Sequence, residues 1–407
     1  MRQFKTLQCL LTVSIMVTCV TMVSVADFSI QSFDGTGQLS YSTLNDGTNY
    51  SYRVEWAPSP VGPWNAFGGS GAHWLDTRPQ AAGTTVTNLV PMCYRVVATL
   101  GDYMVINVSG GTNAATYPVT YYLTLADLPD GANSDVYKTD KILFRLIPKG
   151  TFTMGYRATD YPGAVDEGLH QVTLTKDFYI GVFEVTQRQW ELVMGDRPSY
   201  FTNSSYYVTR PVESVSYYDI RENPSNVDDP AVHWPNNREV NANSFMGKLR
   251  AKTGINTVDL PTEAQWEYAC RAGTTTALNS GYNLAGAGGD LRMSEVGRYY
   301  YNIPGGHENS SSVSTDGGTA KAGSYLPNAW GLYDMHGNVS EWCLDWYGTY
   351  PGTVTDPAGT VSGSYRVMRG GGWVIFANLC RSAFRKNFIQ PDSPDKSFGF
   401  RAAITMP

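Results

Sequence analysis

The sequence predicts a two-part α+β protein: a small all-β sandwich, then a larger, loop-rich domain with few helices. Three observations carry that expectation. Residues 50–125 hold runs of alternating apolar and polar residues separated by Gly-, Asn- and Pro-rich turns. Two later segments, 186–194 and 262–270, begin on a threonine and repeat apolar residues at helical spacing. Much of the remaining chain has neither period, yet the protein carries 41 Gly, 27 Tyr and 10 Trp. Rings, more than long aliphatic helices, are therefore expected to fill its interior.

Residues 1–26 read as a cleaved signal peptide. Arg2 and Lys5 precede a largely apolar, uncharged stretch, and Ser24-Val25-Ala26 offers the small residues a signal peptidase needs. The stretch approaches the length of a membrane span, but Gln8, Thr12, Ser14 and Thr18 interrupt it. A secreted, periplasmic or cell-surface protein with no stable span in the mature chain is the expectation. Loss of Arg2 and Lys5 moves the formal charge from −6 to −8. No basic run then remains to track a phosphate backbone, which excludes nucleic acid as a partner. Cys93, Cys270, Cys343 and Cys380 stay in the mature chain. They are too few for a disulfide framework, though one or two bridges are allowed outside the cell.

Residues 27–135 form the expected β module. Tyr50 to Trp56 alternates as a strand and is broken by Pro58, Pro60, Gly62 and Pro63; residues 93–98 and 119–125 supply further strands. This pattern resembles fibronectin-like modules, and no Asp/Glu/His cluster gives it a catalytic role. The polar, turn-forming run 128–135 is the natural linker to a second domain over 139–407. That domain starts with an alternating strand at 143–147. Thr186 caps its first helix, which turns Trp190 and Val193 or Met194 inward. Thr262 caps the second, with Glu263 and Gln265 in its first turn and Trp266, Ala269 and Cys270 facing the core. From Gly273 to Val367 the chain reads as largely irregular.

Motifs spread along 150–401 then become recognisable. They are Gly150-Thr151-Phe152-Thr153-Met154-Gly155, residues 178–186 (FYIGVFEVT), 210–216 (RPVESVS), 260–269 (LPTEAQWEYA), 328–335 (NAWGLYDM) and 337–342 (GNVSEW). Arg369-Gly370-Gly371 and Gly399-Phe400-Arg401 complete the series. In this order they resemble the formylglycine-generating, sulfatase-modifying-factor family. The resemblance implies an irregular C-type-lectin-like fold.

It also implies calcium. In the family, side-chain oxygens at the positions of Asp334 and Glu341, with the carbonyls of Gly337 and Val339, hold one ion. A second ion is implied near Asn302 and Ile303, with Asp316 as its carboxylate. The chemistry is sensible, since Ca²⁺ takes several hard oxygens in flexible geometry and Gly337 permits a turn that aims carbonyls inward. On residues alone, Asp334 capping a turn and Glu341 pairing with an arginine is the other reading.

The family's enzymes hold Cu⁺ between two cysteines five residues apart and oxidise a substrate cysteine in a C-x-P-x-R context to formylglycine. Cys380 matches the second of these positions, whereas Ile375, which has no donor atom, occupies the first. Cys270 or Cys343 is left as a substitute thiolate. The iron-dependent branch, the ergothioneine-type sulfoxide synthases, needs a histidine set that His73, His170, His233, His307 and His336 do not space; His170, three residues after Glu167, reads as structural. The expected function is thus a calcium-stabilised binding or accessory module for a protein or peptide, a sulfatase among the candidates. The alternative is an oxidase that uses Cys380 and Cu⁺ in a non-standard site. Trp373, Phe376, Phe384, Phe388 and Phe398, interleaved with Arg381 and Arg385, are the candidate binding surface, although at least half of these rings are expected in the core.

Overall fold

The structure, a computed structural model, describes residues 101–406 except 157–166, 204, 223–228, 287 and 307–308; before them it describes only the strands between Ile30 and Thr99. The expected signal peptide and the Cys93 side chain lie outside the described residues. Cα packing divides the chain into two units, 1–103 with 120–128, and 104–119 with 129–407. The larger unit thus takes in residues 104–119 as well as the segment beyond the linker.

The described strands of the first unit are antiparallel. Ile30–Phe33, Gln38–Ser42 and Thr85–Leu89 form one sheet. Tyr50–Ala57 pairs with Cys93–Thr99 from Ser51↔Thr99 to Ala57↔Cys93, the two runs whose alternation marked them as strands.

In the second unit the main sheet runs in the order Val258–Asp259, Ala403–Thr405, Phe178–Gly181, Lys141–Ile147 and Tyr103–Asn107. A smaller sheet pairs Gly150–Met154 with His170–Leu174. A third places Ser340–Trp346 between Arg366–Arg369 and Phe398–Gly399, so that Glu341 lies opposite Arg369 on one side and Gly399 on the other. Every residue of Ser340–Trp346 is buried.

Among the described residues five α-helices pack around these sheets: α1 (Gln187–Met194), α2 (Tyr217–Ile220), α3 (Phe245–Thr253), α4 (Glu263–Arg271) and α5 (Leu291–Val296). α1 and α4 begin where the sequence places them, because each carries a Thr-x-x-Gln capping box. The Gln189 amide donates to Thr186 Oγ1 at 3.2 Å, and the Gln265 amide to Thr262 Oγ1 at 3.1 Å. α2, α3 and α5 are additions to the sequence reading, and α5 and Ser340–Trp346 interrupt the stretch expected to be irregular. Rings do fill the interior: Trp190 stacks on Phe245 at 5.4 Å, Phe245 meets Phe400 edge-on at 5.1 Å, and Trp266, Trp342 and Trp373 are buried. No helix among the described residues is long and apolar enough to cross a membrane.

Candidate functional site

The turn from Asp334 to Glu341 is built on left-handed backbone: φ is +55° at Asp334, +81° at Gly337 and +59° at Asn338. The Gly337 amide donates to the Gly370 carbonyl at 2.7 Å and the Asn338 amide to the Arg298 carbonyl at 2.8 Å, which hold the turn against the RGG motif and the end of α5. Glu341 leaves it into its strand. Glu341 Oε2 accepts from Trp266 Nε1 at 2.7 Å and Arg401 Nε at 2.6 Å, and Oε1 accepts from Arg401 Nη2 at 2.6 Å. Arg401 further donates to the carbonyls of Gly181 (2.9 Å) and Tyr333 (3.0 Å).

A third acid, Glu184, joins them from the FYIGVFEVT segment. Its carboxylate accepts from Asn338 Nδ2 at 2.6 Å and from the Val339 amide at 3.1 Å. Burial, then the charges of Asp334 and Glu341, hold its pKa well above the usual range. Burial also pushes Asp334 up to about 6. Sequence reasoning passed over Glu184 as a site residue; its signal was an acid inside the apolar run Val182-Phe183-Glu184-Val185.

Calcium can be tested against this geometry. Asp334 Oδ2 accepts from the Gly323 amide at 2.6 Å, whereas Oδ1 is buried without a hydrogen-bond partner. A desolvated carboxylate oxygen of that kind suits a hard cation. Glu341, in contrast, already pairs with Arg401, so it can offer an ion only the lone pairs which that arginine and Trp266 leave. Among the described residues no three His, Cys, Asp or Glu side chains converge as a metal-holding group; the family's set relies on two carboxylates and two carbonyls. At the second position, Asn302 Oδ1 accepts from the Tyr299 amide at 2.8 Å and the Ile303 carbonyl from the Gly306 amide at 2.9 Å. Asp316 is exposed, and its carboxylate accepts from the Thr315 hydroxyl at 3.1 Å.

The residues at the family's copper position do not fit a dithiolate. Cys380 is buried in an apolar cluster with Leu278, Met293 and Val296, and Ile375 packs against that cluster. Burial pushes the Cys380 thiol up to about 12, so without a metal it stays protonated, and Ile375 offers no second donor. Cys270, Cys343 and Cys380 are all free and buried. Cys270 Sγ sits 3.5 Å from Ser382 Oγ and 3.9 Å from His336 Nε2. That imidazole is not poised as a base. Its Nδ1 donates to the Cys380 carbonyl at 2.7 Å, Nε2 accepts from the Asn279 amide at 3.0 Å, and burial holds its pKa down at about 4.

His170 likewise donates from Nδ1 to the Gly168 carbonyl at 2.9 Å and packs at a tilt against the Tyr350 ring. The candidate aromatic surface divides. Phe376 and Phe388 are exposed, Phe384 is half-buried, and Trp373 and Phe398 lie in the core. Arg381 and Arg385 do not belong to a surface, because each is buried in an ion pair, with Glu167 at 3.0 Å and Glu263 at 2.6 Å. The alternation of rings and arginines in that segment reflects buried charge pairing.

The family model described as a sulfatase-modifying factor enzyme 1-like domain matches residues 135–406. The chain is 35% identical over 233 residues to the chaperone protein LppX of Paenibacillus barcinonensis, covering 53% of this chain and 76% of the relative. It is 29% identical over 304 residues to the formylglycine-generating enzyme of Mus musculus, covering 63% and 73%. Among solved structures, Treponema denticola variable protein 1 is 30% identical with a TM-score of 0.48, covering 65% of this chain and 96% of that one. The mixed sheets, short helices and buried rings of residues 135–406 accord with the C-type-lectin-like fold that the motifs implied. The family match spans well over half of the sequence, and the chain belongs to the sulfatase-modifying factor enzyme 1-like family.

Proposed function

We propose that residues 135–406 act as an exported, calcium-stabilised binding or accessory module for a protein or peptide, on the family's scaffold but without its copper chemistry. The observation that carries this reading is Ile375, which packs against the apolar cluster around Cys380 where the enzymes have a thiol. The similarity to a protein named as a chaperone supports an accessory role. The second reading, an oxidase acting on a sulfatase through Cys380, is favoured by the formylglycine-generating enzymes among the relatives and by the retained cysteine. Incubated with Cu⁺, oxygen and a C-x-P-x-R peptide, the protein is expected to yield no formylglycine by mass spectrometry. Turnover that disappears in Cys380→Ala establishes the oxidase instead.

Calcium would be held by Asp334, the carbonyls of Gly337 and Val339, and Glu341, with Asn302, Ile303 and Asp316 at a second position. Its contribution would be structural: a fixed positive charge among buried acids. Metal analysis should find at least one calcium per chain. Chelation should lower the melting temperature by about 5–10 °C, which corresponds to roughly 2–3 kcal/mol of linked binding in a domain of this size. Asp334→Ala should lose the first ion. A calcium content and melting temperature both indifferent to chelator remove this part of the reading.

A further inference from the structure

A cavity of about 340 Å³ opens between the start of α4, the end of the strand Ser340–Trp346 and the segment 348–360. None of the residues discussed for calcium or copper lines it, and the inference drawn from it is independent of the function proposed above. Three buried charged groups stand in its wall: Glu263, Arg385 and Asp345.

Two of them satisfy each other. Arg385 donates from Nε to Glu263 Oε1 at 2.6 Å and from Nη2 to Oε2 at 2.8 Å, while its Nη1 goes to the Gly348 carbonyl at 2.8 Å. Arg369 and the Tyr350 hydroxyl complete Glu263, at 3.3 and 3.1 Å. Asp345 differs. It is only 3% exposed, and its Oδ2 accepts the Glu263 amide at 2.8 Å. Among the described residues no arginine or lysine forms an ion pair with it. A carboxylate so placed carries a desolvation cost that a bonded cation would offset.

The rings in the wall are already engaged. Tyr350 carries His170 at 4.3 Å and Arg385 at 4.1 Å, and Arg366 lies 3.4 Å from the Trp346 ring. Recognition by stacking on a flat ligand is therefore disfavoured, while the apolar wall of Met154, Ala264, Pro351 and Val354 suits a short aliphatic chain.

We propose that this cavity binds a small organic cation, an alkylamine or alkylguanidine, whose charged head bonds to Asp345 and whose chain lies along that apolar wall. In the free protein Asp345 is pushed up to about 7, by burial first and then by the Glu263 charge, against which the Glu263 amide, Arg385 and Arg366 act. Cys343, on the same strand, stays protonated because burial raises its thiol well above the ordinary range, and His170 and Asp356 complete the titratable lining. A cation binds the ionised carboxylate. Raising the pH from about 6 to about 8 should therefore strengthen binding about tenfold, in proportion to the ionised fraction, while an alkylammonium stays charged throughout.

The test is calorimetric titration of the full chain with butylammonium, butylguanidinium, butanol and butyrate. The two cations are expected to bind saturably and the other two not at all. Asp345→Asn retains an acceptor for the Glu263 amide but not the charge, and should weaken butylammonium at least tenfold with cooperative unfolding preserved. If that variant does not fold, the pH dependence of the unsubstituted protein decides. Binding of butanol as tight as that of butylammonium, unchanged affinity in Asp345→Asn, a flat pH profile, or no heat with either cation overturns the proposal.

Discussion

Arg401→Ala is expected to destabilise the C-terminal unit by about 3–5 kcal/mol, the range for breaking a buried ion pair by removing one partner. The side chain is buried and joins three parts of the fold. It forms a two-bond fork with Glu341 in one sheet, and donates to the Gly181 carbonyl at the end of a strand in another and to the Tyr333 carbonyl beside the 334–341 turn. Alanine leaves the Glu341 carboxyl desolvated, with only Trp266 to answer it, next to Glu184 and Asp334. Urea unfolding followed by tryptophan fluorescence reports directly, since Trp266 bonds to the same carboxylate. Arg401→Lys should recover only part of the loss, because an ammonium cannot reproduce the planar fork. Replacing Arg401 and Glu341 together with methionine should cost less than Arg401→Ala alone, since no orphaned charge remains. A loss below about 1 kcal/mol in Arg401→Ala would mean that water or a relaxed backbone replaces the guanidinium, a cost typical only of exposed pairs.

The parts of this fold that were legible in the sequence are those specified over a few residues. α1 and α4 carry their own capping boxes, and Tyr50–Ala57 and Lys141–Ile147 alternate visibly. α3 does not announce itself. Gly247 interrupts it, and it is tolerated because a Cβ there would lie 2.0 Å from the Asn241 carbonyl oxygen, so the helix rests directly on backbone. The strand Ser340–Trp346 is hidden for the opposite reason: buried along its whole length, it has no polar face to alternate. The site shows the same division. Asp334, Gly337, Val339 and Glu341 were singled out through motif order. The partners that set their chemistry lie far along the chain, Glu184 by 154 residues from Asn338 and Arg401 by 60 from Glu341. Asp345 was invisible, because only the fold puts an acid without a bonded cation beside a cavity.

Gly337→Ala is the second large effect, expected at about 2–5 kcal/mol, and it separates two causes that usually travel together. At φ +81° any L-residue pays a conformational penalty of about 1–2 kcal/mol. Here the added methyl would also lie 2.0 Å from the Arg298 carbonyl oxygen and 2.8 Å from its carbon. Neither can retreat easily, since the Asn338 amide binds that same oxygen and the Gly337 amide is tied to Gly370. Overpacking against fixed backbone adds about 1–3 kcal/mol. Gly254, which ends α3 at φ +75°, has nothing within 4 Å of a Cβ, so Gly254→Ala carries the conformational penalty alone. The difference between the two variants in urea unfolding measures the clash. Equal losses would show that the 334–341 turn yields as readily as a helix end. Because the proposed calcium set depends on the Gly337 carbonyl, Gly337→Ala should also lower calcium content while Gly254→Ala leaves it unchanged. Stability lost with calcium retained would mean that the turn is fixed by Glu184, Arg298 and Gly370 and that the ion is held elsewhere.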